Sequence, residues 1–542
     1  MKKIIPLLIV LKLNSFAQFT SNVALNTEVS TQNQYISGSI SATTNAGKTY
    51  IAYFDGLIDL RVQLLDASGN KMFPATGISL VSSSAVVSYS DQVDIVSDQQ
   101  ENVFIAFANW ANNGAVTLYK LNTQGTLLNT VSSLGNGSEP HMAWLPSGEI
   151  MLGWTDASLD TTYLQKISST GSPVWSTPVK VPYSCKKIIP LANGNFYMVS
   201  YKYLHQVAGY ATTFIQLMDA NGTALWANPV CCSSNLNSVI SASPVSCELG
   251  ANQEIFIANT YFDSGVSGRR AYLQCVDVAG NLAWGPSGKV IINNPLLSYQ
   301  KSVRLLTDPL TQNIFCLVNA LANNSSASPK AKIYVQKFSS SGNTLFPSNG
   351  LQLTDDTKDP CLFGFERCGT DYVYSYISGI DATICASKFD NAGTIVWANN
   401  PLVLNSTSGF KSAVDAQLSI INGTQPIIVF SENRNGYVQV FAQNADCSGF
   451  IPNSIDELQN ELNKASIYPN PVQNELVLSF INAVAKDSNS KLQVFNSTGE
   501  LVLSQEVKIV VGENKLKLIV DQLPTGIYYM QLSSLAFKLV KL

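Results

Sequence analysis

The sequence predicts an all-β protein in which an N-terminal β-propeller is followed by a small C-terminal β-sandwich. One observation is a strand-and-turn phrase that recurs at blade-sized intervals along most of the 542 residues. Another is the loss of this repeat near Pro452, after which strand patterns of a different spacing run to the C-terminus. A third is the composition, 46% hydrophobic and 13% charged, because strands that are covered on both faces need apolar side chains on both.

The chain begins with the features of a secreted protein. Lys2 and Lys3 precede a short apolar stretch, and Ser15-Phe16-Ala17 forms a small-x-small cleavage site. We therefore expect a signal peptide over residues 1–17, cleaved between Ala17 and Gln18; a short buried helix or strand is the alternative. No later stretch offers the roughly 20 consecutive apolar residues that a spanning helix needs. The predicted location is the extracellular medium or the cell surface.

The repeated phrase is an alternating strand, a polar turn that ends in glycine and, in six copies, a Trp or Phe four residues later. Examples are Val62 to Gly69 with Phe73, and Leu164 to Gly171 with Trp175. Glycine suits the end of such a turn because that residue takes a positive φ, which a Cβ resists. The eight turn glycines are 46 to 62 residues apart, at positions 69, 125, 171, 222, 280, 342, 393 and 449.

A second pair of strand patterns lies between successive phrases, for example at 140–145 and 150–154. Four strands per repeat define a propeller blade. We predict eight blades over residues 18–452, with seven as the alternative because the fifth and sixth repeats are longer. Residues 22–29 form an extra strand, which we expect to complete the last blade and close the ring. A row of β-sandwiches or a β-solenoid is the alternative architecture.

The residues after Pro452 form a separate module. Residues 453–464 are rich in charge and are predicted to be a linker or a short helix. Residues 465–542 are predicted to form a small sandwich of about seven strands that ends in a strand. Ordered motifs mark this module: Tyr468-Pro469-Asn470-Pro471, then Gly499, then Gly526 and Tyr528, and a last strand that contains Lys538 and Lys541.

This order of motifs resembles the C-terminal sorting domain of type IX secretion cargo of Bacteroidetes. The resemblance implies a Gram-negative source and passage through the inner membrane by way of the signal peptide. It implies the type IX secretion machinery as the partner that carries the protein across the outer membrane. It also implies cleavage of the sorting domain, followed by release or by attachment to surface lipopolysaccharide. An unrelated terminal β-sandwich is the alternative.

The charge and the cysteines exclude some classes of protein. The formal charge is −4 and Lys and Arg do not cluster, which excludes nucleic-acid binding, since phosphates require a basic face. Ten cysteines permit disulfides after export to an oxidising compartment. We expect a bridge between Cys361 and Cys368 and a second between Cys247 and either Cys231 or Cys232. No Cys-x-x-Cys occurs, so a structural zinc site is not predicted.

The sequence contains no recognisable catalytic constellation. His141 and His205 are the only histidines, and neither lies in a catalytic motif, so both are interpreted as structural. The Gly-x-Ser-x-Gly and His-Glu-x-x-His motifs are both absent. No cofactor is predicted, although calcium is the alternative for the acidic loop of Asp355, Asp356 and Asp359.

Long polar inserts interrupt the fourth, fifth and sixth repeats at 202–213, 261–270 and 320–332. Loops on a rigid repeat scaffold commonly carry recognition. We therefore predict a non-catalytic binding or adhesion module for a glycan or a protein. A passive structural surface protein is the first alternative and a glycan-active enzyme the second. The candidate ligand residues are Tyr203, Tyr210, Tyr261, Phe262 and Arg269.

Overall fold

Strands account for every regular element that the computed structural model describes, and no helix in that part of the chain is long and apolar enough to cross a membrane. The predicted signal peptide with its Ala17–Gln18 cleavage site lies outside the described residues, as does the predicted linker. The described residues are 19–20, 22–30, 36–56, 59–82, 92–109, 114–156, 158, 160–203, 211–232, 246–262, 268–297, 299–321, 330–355, 357–412, 416–434, 436–451, 466–482, 488–496, 500–510, 512–532 and 535–542.

The chain divides into two compact units, Asn22–Pro452 and a second unit that contains Asn453–Leu542. The described residues of the first unit form a ring of eight antiparallel blades, which confirms the predicted propeller and its blade number. The sheets of blades 5 and 6 are joined by a parallel residue pair, Arg269 with Tyr299.

Blades 1 to 4 have four strands each. Blade 1 contains β2 (Ile36–Thr43), β3 (Thr49–Asp55), β4 (Asp59–Leu65) and β5 (Ile78–Ser82). Blade 2 contains β6 (Val93–Ser97), β7 (Val103–Asn109), β8 (Ala115–Leu121) and β9 (Leu127–Val131). Blade 3 contains β10 (Ser138–Trp144), β11 (Ile150–Thr155), β12 (Thr161–Ile167) and β13 (Val179–Pro182). Blade 4 contains β14 (Ser184–Pro190), β15 (Phe196–Tyr203), β16 (Ala211–Met218) and β17 (Val230–Cys231).

The other four blades follow the same order, from the innermost strand to the outermost. Blade 5 contains β18 (Ser246–Leu249), β19 (Ile255–Phe262), β20 (Arg269–Val276) and β21 (Lys289–Val290). Blade 6 contains β22 (Tyr299–Thr307), β23 (Ile314–Leu321), β24 (Ala331–Phe338) and β25 (Leu351–Gln352). Blade 7 contains β26 (Pro360–Cys368), β27 (Asp371–Ser378), β28 (Ile384–Phe389) and β29 (Leu402–Asn405). Blade 8 contains β30 (Gln417–Ile421), β31 (Gln425–Arg434), β32 (Tyr437–Asn444) and the N-terminal strand β1 (Thr27–Glu28).

The N-terminal strand closes the ring, as predicted. Thr27 pairs with Ala442 and Glu28 with Phe441, so β1 is the outermost strand of blade 8. Closure removes an unpaired sheet edge that another chain would otherwise pair with. The middle strands of the blades are apolar on both faces because neighbouring blades cover them; β3 and β11, for example, are buried at every position.

Each repeated phrase joins its blade to the next one. The aromatic residue of one phrase lies against the turn glycine of the following phrase, as Trp175 does with Gly222 and Trp226 with Gly280. A buried glutamine on the third strand holds the aromatic segment in place: Gln165 Nε2 donates to the Trp175 carbonyl at 3.0 Å. Equivalent bonds run from Gln63 to Pro74, Gln216 to Trp226, Gln274 to Gly285 and Gln336 to Pro347.

The predicted disulfides are wrong. Cys368 is bonded to Cys447, which links the turn between β26 and β27 to the segment after β32, and not to Cys361. Cys361 is an exposed thiol, and Cys231, Cys232 and Cys247 are also free. The prediction paired cysteines that are close in sequence. A propeller instead brings the turns of adjacent blades together at one end of the ring, so cysteines that are far apart in sequence can meet there.

The described part of the second unit is a sandwich of seven strands in two sheets, which confirms the predicted C-terminal fold. One sheet has the order β33-β34-β37 and the other β36-β35-β38-β39. Side chains such as Leu478, Val494 and Met530 meet in the core between them. The strands are β33 (Ser466–Tyr468), β34 (Glu475–Asn482), β35 (Ser488–Asn496), β36 (Leu501–Ile509), β37 (Gly512–Ile519), β38 (Gly526–Leu532) and β39 (Leu535–Lys541).

Candidate functional site

The first strand of each blade lies at the centre of the ring, where these strands contact one another around a channel. Because the strands of a blade are antiparallel, two kinds of connection lie at the same end of the ring: those between successive blades and those between the second and third strands of a blade. We call this end the loop face. The opposite end carries the repeated turns. Five of the first strands contain a register shift near the loop face, in β2, β10, β14, β22 and β26. Such bulges redirect side chains and are frequent next to functional sites.

The bulges of blades 3 and 4 present an ion pair at the loop face. Glu139 and Lys186 approach to 2.5 Å, and the hydroxyl of Ser184 donates to the same carboxylate at 3.0 Å. The Lys186 ammonium also lies 5.5 Å and 5.2 Å from the ring centres of Tyr201 and Tyr203. We call Glu139, Lys186, Tyr201 and Tyr203 the mouth cluster.

The electrostatics of the mouth cluster hold its charges in place. Burial alone lowers the pKa of Lys186, but the Glu139 carboxylate and the Tyr203 hydroxyl outweigh it and raise the pKa. Glu139 has a φ of 50°, a conformation that costs a non-glycine residue of order 1–3 kcal/mol and is concentrated at functional sites. The arrangement is a fixed charge pair beside two aromatic rings.

His141, interpreted from the sequence as structural, lies on β10 two residues beyond Glu139. Burial lowers its pKa to about 4, and the positive charge of Lys186 acts in the same direction. The imidazole is therefore neutral at physiological pH, which leaves it a hydrogen-bonding group without charge. His205 lies outside the described residues.

The first strands of several blades line a cavity of about 790 Å³ in the channel. Its walls carry charged side chains from blades that are far apart in sequence: Asp94, Lys187, Lys301, Arg304 and Glu366. A second cavity of about 460 Å³ shares Lys187 with the first and is also lined by Glu248.

Both carboxyl groups of the larger cavity hold their protons unusually tightly. Burial raises the pKa of Asp94 to about 7, against two backbone N–H donors that lower it, from Met142 at 2.5 Å and Ile95 at 2.9 Å. Burial also raises the pKa of Glu366 to about 7, and the negative charge of Glu248 adds to the effect. Near neutrality each group is able to donate or to accept a proton.

The structure separates the predicted ligand residues. Tyr203 is half-buried in the mouth cluster. Tyr261, by contrast, is 3% exposed, packs edge-on against Tyr272 and hydrogen-bonds Thr213 at 3.5 Å, so its expected direct contact with ligand is corrected to a packing role.

Arg269 is also corrected, because its side chain is buried and its guanidinium lies 5.8 Å from the ring centre of Tyr299. Tyr210 lies outside the described residues, as does the side chain of Phe262. Of the predicted set, Tyr203 alone is described as partly accessible at the loop face.

The acidic loop that suggested calcium is occupied by local bonds. Asp355 accepts hydrogen bonds from the Thr357 backbone at 2.9 Å and hydroxyl at 2.5 Å, and Asp359 accepts one from the Ala331 backbone at 2.6 Å. Asp356 lies outside the described residues. Within the described residues no group of three His, Cys, Asp or Glu side chains is placed to hold a metal.

In the second unit, the two ends of the sorting motif meet. The Asn470 side chain donates to the Lys538 carbonyl at 2.8 Å and accepts from the Val540 backbone at 2.9 Å. Tyr468 is exposed at the end of β33, while Tyr528 is buried and donates to the Pro524 carbonyl at 2.8 Å. Lys538 is exposed, Lys541 is buried, and Pro469, Pro471 and Gly526 are described, whereas Gly499 is not.

Sequence reasoning missed the charged residues of the channel. Asp94, Arg304 and Glu366 each lie within an apolar strand pattern, and their spacing along the chain gives no sign that they share a cavity. The signal that was present is a charge at the centre of the first strand of several repeats, which is unusual for a strand that is covered by its neighbours.

Residues 466–541 match the family model of the secretion system C-terminal sorting domain. Together with the fold of Asn22–Pro452, this match defines an exported β-propeller with a C-terminal sorting domain. The chain is a cargo protein of the type IX secretion system, with that machinery as its partner, and it is secreted or attached at the cell surface. No curated protein matches the chain.

Among solved structures, the chain is similar to a polysaccharide lyase, an ulvan lyase, with 12% identity, 78% of this chain and 94% of that chain covered, and a TM-score of 0.41. It is similar to a protein of unknown function from Dyadobacter fermentans, with 10% identity, coverage of 77% and 97%, and a TM-score of 0.36. It is also similar to an α-L-arabinanase from Penicillium chrysogenum, with 14% identity, coverage of 56% and 92%, and a TM-score of 0.32.

Proposed function

We propose that the exported propeller is a binding module that receives a glycan at the loop face of its channel. The observation that carries the proposal is the mouth cluster, in which the half-buried ring of Tyr203 lies beside the Glu139–Lys186 ion pair and the buried Tyr201 packs behind it. Aromatic rings stack on sugar rings, and a fixed charge pair offers both a donor and an acceptor to hydroxyl groups. The channel also contains a cavity of about 790 Å³, which has the size of a site for a small oligosaccharide.

A glycan array tests this proposal. The mature protein is expected to bind a subset of glycans, and Tyr203→Ala is expected to weaken that binding about tenfold or more. Tyr163→Ala is a matched control, because this half-buried tyrosine stacks on Trp154 in blade 3 and is absent from the mouth cluster. Equal loss in both variants, or none in Tyr203→Ala, would remove the mouth cluster as the site. The absence of any bound glycan would favour a protein partner or a passive surface role.

An enzyme is the second candidate, and one observation favours it. Asp94 and Glu366 line one cavity, and the pKa of each is about 7, which suits proton transfer at neutral pH. The test is incubation of the bound glycans with the protein, followed by analysis of chain length. Cleavage that stops in Glu366→Gln while binding persists would support the enzyme; intact glycans after prolonged incubation would support the binding module.

A further inference from the structure

Three cations face the larger cavity of the channel. Arg304 and Lys301 project from β22 in blade 6, and Lys187 projects from β14 in blade 4. Arg304 is half-buried, and burial lowers the pKa of its guanidinium. A protein interior tolerates such charge only where a partner compensates for the lost water.

Within the described residues these cations have no carboxylate at ion-pair distance. Arg304 donates to the carbonyl of its own neighbour Val303 at 3.1 Å, and Lys187 donates to the Cys247 carbonyl at 3.4 Å. The described contacts give Lys301 no hydrogen bond and no ion pair, and its side chain is exposed to the channel. A backbone carbonyl satisfies one donor of a guanidinium that has five.

Several other buried or partly buried cations of the propeller are paired with carboxylates. Lys411 lies 3.0 Å from Glu432, Arg434 lies 2.7 Å from the other oxygen of the same carboxylate, and Arg61 lies 2.7 Å from Asp59. Positive side chains that converge on a cavity without internal partners are suited to an external anion.

Below pH 7 the carboxyl groups of the cavity do not cancel this charge. Asp94 and Glu366 both have a pKa of about 7, so below neutrality they are largely uncharged and act as hydrogen-bond donors. Hydroxyl and amide groups from Ser41, Ser302 and Gln417 complete the polar lining. Lys187, Lys301, Arg304 and Cys361 line the cavity with these carboxyls, and Glu248 acts on Glu366. Cys185 interacts with Asp94, and His141 precedes Met142, whose backbone N–H donates to Asp94.

We infer that the channel binds an acidic sugar residue, whose carboxylate or sulfate meets Arg304 and Lys301 while its hydroxyl groups contact the neutral polar lining. This inference rests on the proposed function and names its ligand class: the glycan carries an anionic group that binds the cations of the cavity. Binding weakens as the pH rises through about 7, because Asp94 and Glu366 then become negative beside the anion.

The experiment is calorimetric titration of the mature protein with three probes: a galacturonic acid trimer, the methyl ester of that trimer, and a disaccharide that carries one sulfate ester. The ester has the shape of the acid without its charge. At pH 6 the acid or the sulfated sugar is expected to bind about tenfold more tightly than the ester. Arg304→Gln and Lys301→Gln are each expected to remove that preference, and the preference is expected to fall between pH 6 and pH 8.

The controls separate this inference from the proposed function. Arg270→Gln alters an arginine of blade 5 that does not line the cavity, and it is expected to bind as the wild type does. Lys301 is exposed, so Lys301→Gln tests the site even where Arg304→Gln unfolds the protein. If the acid and the ester bind with equal affinity, and only Tyr203→Ala loses that binding, the inference is overturned while the proposed function stands. A preference for the acid that is lost in Arg304→Gln but kept in Tyr203→Ala would support the acidic-sugar site and overturn the mouth cluster as the glycan site. If none of the probes binds, both the inference and the proposed function are overturned.

Discussion

The indole of Trp397 lies against the α-carbon of Gly449: a Cβ placed on Gly449 would stand 2.6 Å from the indole Cγ. Trp397 belongs to the phrase of blade 7 and Gly449 to the phrase of blade 8, so the contact joins two successive repeats. The indole nitrogen also donates to the Cys447 carbonyl at 3.0 Å. Glycine at this turn thus serves two purposes, because it takes a φ of 90° and leaves room for the preceding tryptophan.

The first prediction separates these two purposes. Gly148→Ala adds a methyl group where φ is 82° and nothing lies within 4 Å, so it measures the backbone cost alone, about 1–2 kcal/mol. Gly449→Ala adds a clash with Trp397 and is expected to cost about 1–3 kcal/mol more. Thermal unfolding of both variants measures the difference. Equal melting temperatures would show that the indole contact has no energetic consequence.

The second prediction concerns the bond between Cys368 and Cys447, which joins residues 79 positions apart in adjacent blades. Cys368→Ser is expected to lower stability by about 2–4 kcal/mol, because the crosslink restricts the unfolded chain. Reductant is expected to reproduce the loss in the wild type. Cys361→Ser removes an exposed free thiol and serves as the control. A wild type whose melting temperature is the same with and without reductant would contradict the prediction.

The third prediction concerns the closure of the ring. Glu432 is fully buried and contacts both Lys411 and Arg434, and Arg434 in turn donates to the Leu25 carbonyl at 2.5 Å and the Asn26 side chain at 2.8 Å. Glu432→Gln leaves two cations without a carboxylate and is expected to cost about 3–5 kcal/mol.

Limited proteolysis near the N-terminus is expected to accelerate in the same variant, because β1 loses the side chains that hold it. Glu149→Gln breaks a partly exposed pair with Lys166 and is expected to cost about 1 kcal/mol or less. If the two variants lose equal stability, the buried network does not hold the closing strand.

The fourth prediction concerns pH. The pKa of Glu366 rises from 4.5 to about 7 on folding, so the folded protein binds this proton more tightly and the wild type loses stability as the pH rises from 4.5 to 7. Glu366→Gln carries no such proton, and its stability relative to the wild type is expected to rise over that range by up to about 3 kcal/mol. Unfolding in urea at pH 5 and pH 8 measures the change.

His141 provides a control of opposite sign. Its pKa falls from 6.5 to about 4 on folding, so its contribution to stability is lost as the pH falls from 6.5 toward 4. His141→Gln is therefore expected to gain relative to the wild type at low pH, where Glu366→Gln does not. A difference from the wild type that is the same at pH 5 and pH 8 for both variants would contradict the two pKa shifts.

The fifth prediction concerns export. Deletion of residues 465–542 is expected to leave a folded propeller in the periplasm, because the sorting domain at 466–541 addresses the chain to the outer membrane. Fractionation and the melting curve of the truncated protein provide the two measurements. Fractionation of the intact protein also distinguishes release from attachment to lipopolysaccharide. Normal secretion of the truncated chain would show that another segment contains the signal for export across the outer membrane.

The sequence by itself determined the architecture, the export and the closure of the ring. Repeat spacing, turn glycines and alternating strands are local properties, and they predict blades because each blade is a local hairpin assembly. The orphan strand at 22–29 predicted the pairing with β32 for the same reason, since the last repeat lacked one strand. The sorting motif was readable because its residues follow one another in a fixed order.

Only the tertiary structure decided which side chains meet. The disulfide between Cys368 and Cys447, the packing of Trp397 on Gly449 and the cavity shared by Asp94, Arg304 and Glu366 all join different blades. Tyr261, on an insert that resembles a binding loop in sequence, is buried against Tyr272 for the same kind of reason. Position around the ring depends on how the blades pack, and the spacing of residues along one chain does not encode which of them face a common channel.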